Sequence, residues 1–93
     1  MRYIKARVTG HVQGVGFRQA TAHRARELGV VGYASNCDDG SVEVGMSGSH
    51  DAVTALIDWL QSGPPGARVD QVTSEEIAPQ SWSDFRTDQD TFA

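Results

Sequence analysis

The sequence predicts an α+β domain in which an antiparallel sheet carries two helices on one face. Three observations support this prediction: short runs alternate apolar and polar residues, two longer segments have helical periodicity, and the elements follow the order β-α-β-β-α-β with a weak extra strand at the C-terminal edge. That order is typical of the split βαβ sandwich, the ferredoxin-like architecture. The length of 93 residues predicts one domain over residues 1–93, built on a single core.

The first strand and the first helix are separated by a glycine-rich loop. Ile4, Ala6 and Val8 alternate with polar residues, a pattern that predicts a half-buried strand. A helix is expected over residues 18–28, because its alanines favour helix and allow close packing on a sheet. Gly29 then ends the helix as a left-handed C-terminal cap.

A hairpin and a second helix follow. Residues 30–35 and 42–46 are predicted as neighbouring strands, joined by a turn at Asp39-Gly40. Ser49 is the expected N-cap of the second helix, since its hydroxyl can accept a first-turn N–H. The core-facing stripe of this helix, spaced i, i+3, i+4 and i+7, consists of Val53, Leu56, Ile57 and Leu60.

The C-terminal part of the chain predicts one long strand and one short one. Gly63-Pro64-Pro65 stops the second helix, and residues 67–77 form the next strand. That strand is expected to contain a bulge, because Val69 and Val72 would otherwise face opposite sides of the sheet. A short edge strand is expected near Phe85.

Composition and charge limit the classes of partner. Residues 1–45 carry six basic and four acidic side chains, a net charge of +2, whereas residues 46–93 carry two basic and eight acidic, a net charge of −6. A pI of about 5.1 argues against nucleic-acid binding. No apolar run approaches the ~20 residues of a membrane span, so no membrane partner is expected. The single cysteine fits a reducing compartment, and we expect a cytoplasmic monomer.

The glycine loop predicts an anion site. Gly14 and Gly16 allow the backbone to point several N–H groups into one hollow at a helix N-terminus. Arg18 would oppose the helix dipole by about 0.3–1 kcal/mol in that first turn, and a bound anion would reverse this penalty. An ordinary strand-to-helix connection with a solvated Arg18 also fits the loop alone. Nucleotide loops do not fit, because Gly16 is followed by Phe17 and Arg18, and the third glycine of a dinucleotide loop is replaced by Gln19.

Two sequence blocks resemble a known family. The first is Gly10-His11-Val12-Gln13-Gly14-Val15-Gly16-Phe17-Arg18, which resembles the signature of the acylphosphatases. The second is Gly32-Tyr33-Ala34-Ser35-Asn36-Cys37-Asp38-Asp39-Gly40-Ser41-Val42-Glu43, which is similar to that family's other signature. The chain departs from the family pattern at Ala34, at Cys37-Asp38 and in the final strand.

The resemblance implies an enzyme that cleaves small-molecule acyl phosphates and needs no cofactor. It assigns Arg18 to the phosphate and Asn36 to the attacking water as the catalytic residues. From the residues alone, a planar guanidinium can bind two phosphate oxygens, and the Asn36 amide can reach a water if the first two strands flank the loop. The residues alone favour Asn36 as a turn residue, and the resemblance reverses that preference. Gln13 could shape the loop or remain solvated. The predicted phosphate-binding set is Gln13, Gly14, Val15, Gly16, Phe17 and Arg18, with inorganic phosphate as product and inhibitor.

Other chemistries fit the sequence less well. His11, His23 and His50 are not spaced as a metal cluster with Cys37, so no metal site is predicted. Cys37 is expected to be an incidental thiol, because the residue six positions on, where a cysteine phosphatase loop has arginine, is glutamate.

Two rival functions remain from the sequence. The first is a non-catalytic module that binds carbamoyl phosphate or another anion for regulation; such modules usually belong to longer chains, and this chain shows no linker. The second is an RNA-binding domain, for which Tyr3 and Tyr33 offer aromatic side chains, but the acidic balance and the lack of an aromatic residue in residues 42–46 disfavour it.

Overall fold

The computed structural model, which describes residues 1–87, contains a single five-stranded sheet. Five strands lie in the order β4-β1-β3-β2-β5. The elements, in chain order, are β1 (Arg2–His11), α1 (Phe17–Leu28), β2 (Val31–Asn36), β3 (Val42–Gly48), α2 (His50–Leu60), β4 (Arg68–Glu76) and β5 (Phe85–Thr87). The predicted ferredoxin-like order is confirmed, including the short edge strand at Phe85.

The sheet is mixed rather than wholly antiparallel, which corrects one part of the prediction. β1, β2, β3 and β4 pair antiparallel, but β5 runs parallel to β2. The direction of β5 follows from the position at which β4 ends. Glu76, the last residue of β4, pairs with Ile4 near the start of β1, and β2 starts at this same end of the sheet. The chain crosses the sheet at that end, and Gly32 N donates to Asp84 O at 2.9 Å as β5 begins. β5 therefore enters in the direction of β2.

The core lies between the sheet and the two helices. Alternation in β1 buries Ile4, Ala6 and Val8 on the helix side, as predicted. On α2, Val53, Leu56 and Leu60 are fully buried, whereas Ile57 is partly buried and packs against the same cluster. The burial of one face on each element gives one continuous apolar cluster from β1 to β5.

The helix ends follow the predicted capping. α1 ends at Gly29, which has φ +75° and donates its N–H to Ala25 O and Arg26 O. Ser49 Oγ accepts the N–H of Ala52 at 3.1 Å and so caps α2. α1 begins at Phe17, one residue earlier than predicted.

The predicted bulge lies in β4. Thr9 pairs with Gln71 and Gly10 pairs with Val69, so Asp70 is the extra residue. Gly10 has φ +125° at this point, and a β-carbon there would collide with the carbonyl oxygen of Arg68. The bulge therefore allows Val69 and Val72 both to pack against the core.

The face of the sheet opposite the helices is partly covered by the segment that joins β4 to β5. Trp82 packs edge-on against Tyr33, with ring centroids 5.5 Å apart, and both rings lie over Gly45. The Tyr33 hydroxyl donates to Glu43 Oε2 at 2.6 Å. Burial and this hydrogen bond raise the pKa of Tyr33. Within residues 1–87, neither helix is long and apolar enough to cross a membrane.

Candidate active site

The loop between β1 and α1 adopts the backbone that its glycines predict. Gly14 and Gly16 both have φ +76°, a left-handed conformation that side-chain-bearing residues rarely adopt. Both glycines are exposed, and nothing lies within 4 Å of a β-carbon built on either one. The two glycines are therefore required here by backbone conformation and not by crowding.

The positive end of α1 opens onto this loop. Gly16 is the N-cap residue and has no side chain to accept a first-turn N–H, while its carbonyl oxygen accepts the N–H of Ala20 at 3.0 Å. The first turn contains no acidic residue. The partial positive charge at the N-terminus of α1 is therefore not offset by a capping side chain or by a carboxylate of the first turn, and Arg18 adds a further positive charge to that turn.

A cavity of about 230 Å³ lies at the same place. It is lined by Val12, Gly14, Gly16, Phe17, Arg18 and Gln19. Four of the six residues predicted to bind phosphate thus border one hollow. Sequence reasoning did not assign Val12 and Gln19 to the site, although both lie within or beside the loop motif that could have indicated them.

Phe17 and Val15 contact the protein interior with their side chains. Phe17 is fully buried, and its ring packs against Trp59 with centroids 6.0 Å apart. Val15 is partly buried against the core cluster. Their predicted phosphate contacts can therefore come only from backbone N–H groups, and the side chains anchor the loop.

Gln13 turns away from the cavity lining and contacts the β2–β3 hairpin. Its Nε2 atom donates to Cys37 O at 2.8 Å and to Ser41 O at 2.9 Å. A primary amide has two N–H donors, so both are engaged. Of the two roles considered for Gln13, shaping the loop fits these contacts, and its predicted phosphate contact would have to come from the backbone.

Asn36 is the last residue of β2 and lies at the loop end of the sheet. β1 and β2 are not neighbours, because β3 lies between them and pairs antiparallel with both. The C-terminal ends of β1 and β2 consequently meet at one end of the sheet. Val42 pairs with both Val8 and Asn36, so these three residues form a row whose side chains share the helix-bearing face. The Oδ1 atom of Asn36 is buried there.

A polar cluster braces the turn that follows Asn36. Asp39 Oδ1 accepts the Ser41 hydroxyl at 2.6 Å and the Ser41 N–H at 3.0 Å. Arg7 on β1 donates to Asp39 Oδ2 at 2.9 Å. The hydrogen bonds from Ser41, together with the Arg7 charge, hold the pKa of Asp39 below its usual value. Sequence reasoning identified the Asp39-Gly40 turn but gave no role to Arg7 or Ser41.

Among residues 1–87, no group of three or more His, Cys, Asp or Glu side chains could hold a metal ion. A second cavity, of about 270 Å³, lies on the open face of the sheet between β1, β3 and β4. Its charged lining residues are engaged in pairs, as in the 3.7 Å contact between Lys5 and Glu75, so it does not offer a concentrated charge for a phosphate.

The elements form a ferredoxin-like α+β domain, and its first helix begins in a loop with two left-handed glycines that borders a hollow. The acylphosphatase family model matches residues 4–87. An acylphosphatase of Yersinia pseudotuberculosis serotype O:1b is 55% identical over 84 residues, which cover 89% of this chain and 91% of the relative. The chain belongs to the acylphosphatase family, as the two signature blocks predicted.

Solved structures give the same result. An acylphosphatase from Coxiella burnetii has a TM-score of 0.89 and 41% identity, covering 92% of this chain and 90% of its own. The acylphosphatase from Bacillus subtilis has a TM-score of 0.90 and 28% identity, covering 94% and 98%. The predicted fold class and the prediction of an acylphosphatase enzyme are thus confirmed.

Proposed function

We propose that this chain hydrolyses the carboxyl–phosphate bond of acyl phosphates and releases a carboxylate and inorganic phosphate. The observation that carries the proposal is the cavity at the start of α1, where Gly14, Gly16 and Arg18 surround one hollow. Left-handed glycines, first-turn N–H groups and a guanidinium are together suited to a phosphoryl group. The proposed phosphate contacts come from Arg18 and the backbone N–H groups of residues 13–18.

An acyl phosphate needs little covalent help from the protein, because its leaving group is already a stable carboxylate. The protein has to hold the phosphoryl group, balance its charge and place a water in line with the bond that breaks. In the proposed step the water oxygen bonds to phosphorus, while the bond from phosphorus to the acyl oxygen breaks and its electron pair leaves with the carboxylate. The proton of the water passes to a phosphate oxygen.

Asn36 is the proposed ligand of that water. An amide is a weak base, but it both donates and accepts hydrogen bonds and can therefore orient a water. Its place at the end of β2, on the helix-bearing face and directly before the hairpin turn that Gln13 contacts, supports this role. Arg18 would counter the charge that develops on the phosphoryl oxygens.

The proposal also includes the domain organisation, the oligomeric state and the location of the protein. One apolar cluster contains buried residues from β1, β2, β3, β5 and both helices, which supports a single domain. We propose that residues 1–93 act as a monomer in the cytoplasm, without a metal or cofactor. The rival function, an anion-binding regulatory module, would use the same hollow without turnover.

Turnover of benzoyl phosphate separates the two functions. We expect release of inorganic phosphate at an unchanged rate after dialysis against a chelator, and competitive inhibition by added phosphate or sulfate, which would fill the same hollow. Phosphate binding without any hydrolysis would favour the regulatory module. Activity that is lost on chelation and restored by a divalent metal would contradict the metal-free mechanism.

A further inference from the structure

The Gln13 side chain joins the two parts of the candidate site. Its Nε2 atom donates hydrogen bonds to the carbonyl oxygens of Cys37 and Ser41. Cys37 directly follows Asn36 in the chain. Ser41 directly precedes Val42, the residue that pairs with Asn36 across the hairpin. Gln13 therefore holds the backbone on both sides of the pair that contains Asn36.

We propose that Gln13 is a positioning residue that sets the placement of Asn36 relative to the phosphate loop. The inference rests on the proposed function. Arg18 and the loop N–H groups belong to one continuous stretch of chain, whereas Asn36 belongs to another element. Their relative placement therefore depends on contacts between the elements, and Gln13 provides two such contacts next to Asn36.

The hairpin is a firm support for this contact because it is braced from the opposite side. The Ser41 N–H and hydroxyl both donate to Asp39 Oδ1, at 3.0 and 2.6 Å. Arg7 donates to Asp39 Oδ2 at 2.9 Å and so ties the turn to β1, the strand that leads into the loop. A bond from Gln13 to this hairpin therefore fixes the loop against a part of the sheet that is itself held in place.

Loss of the Gln13 amide should leave the hairpin folded. Cys37 O also accepts the N–H of Gly40 at 3.1 Å, and Ser41 O also accepts the N–H of Cys37 at 2.8 Å. Each carbonyl oxygen keeps one backbone partner when Gln13 is replaced. The expected consequence is thus a misplaced catalytic geometry and not an unfolded turn.

Gln13→Met tests the proposal, since methionine keeps the length of the side chain and removes both N–H donors. We expect kcat for benzoyl phosphate to fall by about 10- to 100-fold, because misplacement of about 1 Å can cost this much in rate. The inhibition constant of inorganic phosphate should stay within about threefold, since Gly14, Gly16 and Arg18, which line the hollow, are all retained. Gln71→Met, at an exposed position on β4, is the matched control and should retain normal kcat.

The double variant Gln13→Met/Asn36→Ala shows whether the loss of kcat on replacing Gln13 arises through Asn36. If Gln13 acts through Asn36, its replacement should change kcat less than about twofold once Asn36 is alanine. Additive losses in the double variant, or a loss of phosphate affinity with kcat intact, would overturn the proposal. Gln13→Asn, one methylene too short to reach both carbonyl groups, serves as a second variant if Gln13→Met is not folded.

Failure of the positioning role of Gln13 can be distinguished from failure of the proposed hydrolysis. If Arg18→Ala and Asn36→Ala destroy turnover while Gln13→Met has a normal kcat, the positioning role is wrong and the proposed hydrolysis stands. If Arg18→Ala and Asn36→Ala both retain normal turnover, the proposed site is wrong and the role of Gln13 falls with it.

Discussion

The ring of Phe17 occupies the space next to the α-carbon of Gly63. A β-carbon built on Gly63 would lie 2.7 Å from Cε2 of that ring. The same ring also packs against Trp59, with ring centroids 6.0 Å apart. Phe17 is the first residue of α1. The segment after α2 thus helps to fix the point at which the loop becomes a helix.

Gly63→Ala should destabilise the protein by about 2–5 kcal/mol. Gly63 has φ +65°, which costs an L-residue about 1–2 kcal/mol, and overpacking against Phe17 adds about 1–3 kcal/mol. Chemical denaturation measures the change in the free energy of unfolding. Gly29→Ala is the matched control, because Gly29 has φ +75° with open space around it. Equal losses in the two variants would show that contact with Phe17 contributes nothing.

Much of the fold and of the loop conformation could be predicted from the sequence, because these features depend on the pattern of a few neighbouring residues. The alternation of Ile4, Ala6 and Val8 is sufficient to place β1. The spacing of Gly14 and Gly16 is sufficient to indicate left-handed backbone at the start of α1. In each case the physical cause, burial of one face or a φ that glycine adopts without strain, acts within a few residues.

The contacts that tie the site together could not be predicted in the same way. Gln13 donates to carbonyl oxygens 24 and 28 residues away, and Arg7 reaches Asp39 across 32 residues. Backbone acceptors leave no side-chain pattern, since any residue type supplies a carbonyl group. The parallel direction of β5 was missed for a related reason: it depends on the end of the sheet at which the chain crosses, and a three-residue strand carries no signal of direction.

Asp39→Asn should lower stability at neutral pH, with a difference that disappears in acid. The folded-state pKa of Asp39 lies below its ordinary value of 3.8, chiefly because the Ser41 hydroxyl and N–H donate to it. The ionised carboxylate therefore adds stability above about pH 4, and this contribution is lost as the pH falls through the lowered pKa. Denaturation of both proteins between pH 7 and pH 2 measures the difference.

Asp38→Asn removes the same charge from the neighbouring exposed position and is the control for net charge. If the difference in unfolding free energy between the original chain and Asp39→Asn stayed constant down to pH 2, ionisation of Asp39 would contribute nothing to stability.

Arg18→Ala should lower kcat/KM for benzoyl phosphate by at least about 10²–10³, the loss typical of a single donor to a developing oxyanion. Arg18→Lys should restore little of this, because an ammonium group cannot contact two phosphate oxygens in the plane of a guanidinium. Arg24→Ala, which removes another cation of α1, is the control; Arg24 lies 3.4 Å from Glu27 at the helix surface. A folded Arg18→Ala variant with near-normal turnover would falsify the assignment.

Asn36→Ala should lower kcat strongly and leave phosphate affinity nearly unchanged. The reason is that its proposed partner is the attacking water, whose contact with the amide matters most in the transition state, and interactions of that kind affect kcat and kcat/KM together. Steady-state kinetics with benzoyl phosphate and the inhibition constant of inorganic phosphate measure the two quantities. Ser35→Ala is the control, because Ser35 precedes Asn36 on β2 and points to the opposite face of the sheet. A variant that raised KM alone would instead make Asn36 a substrate-binding residue, and the water would need another ligand.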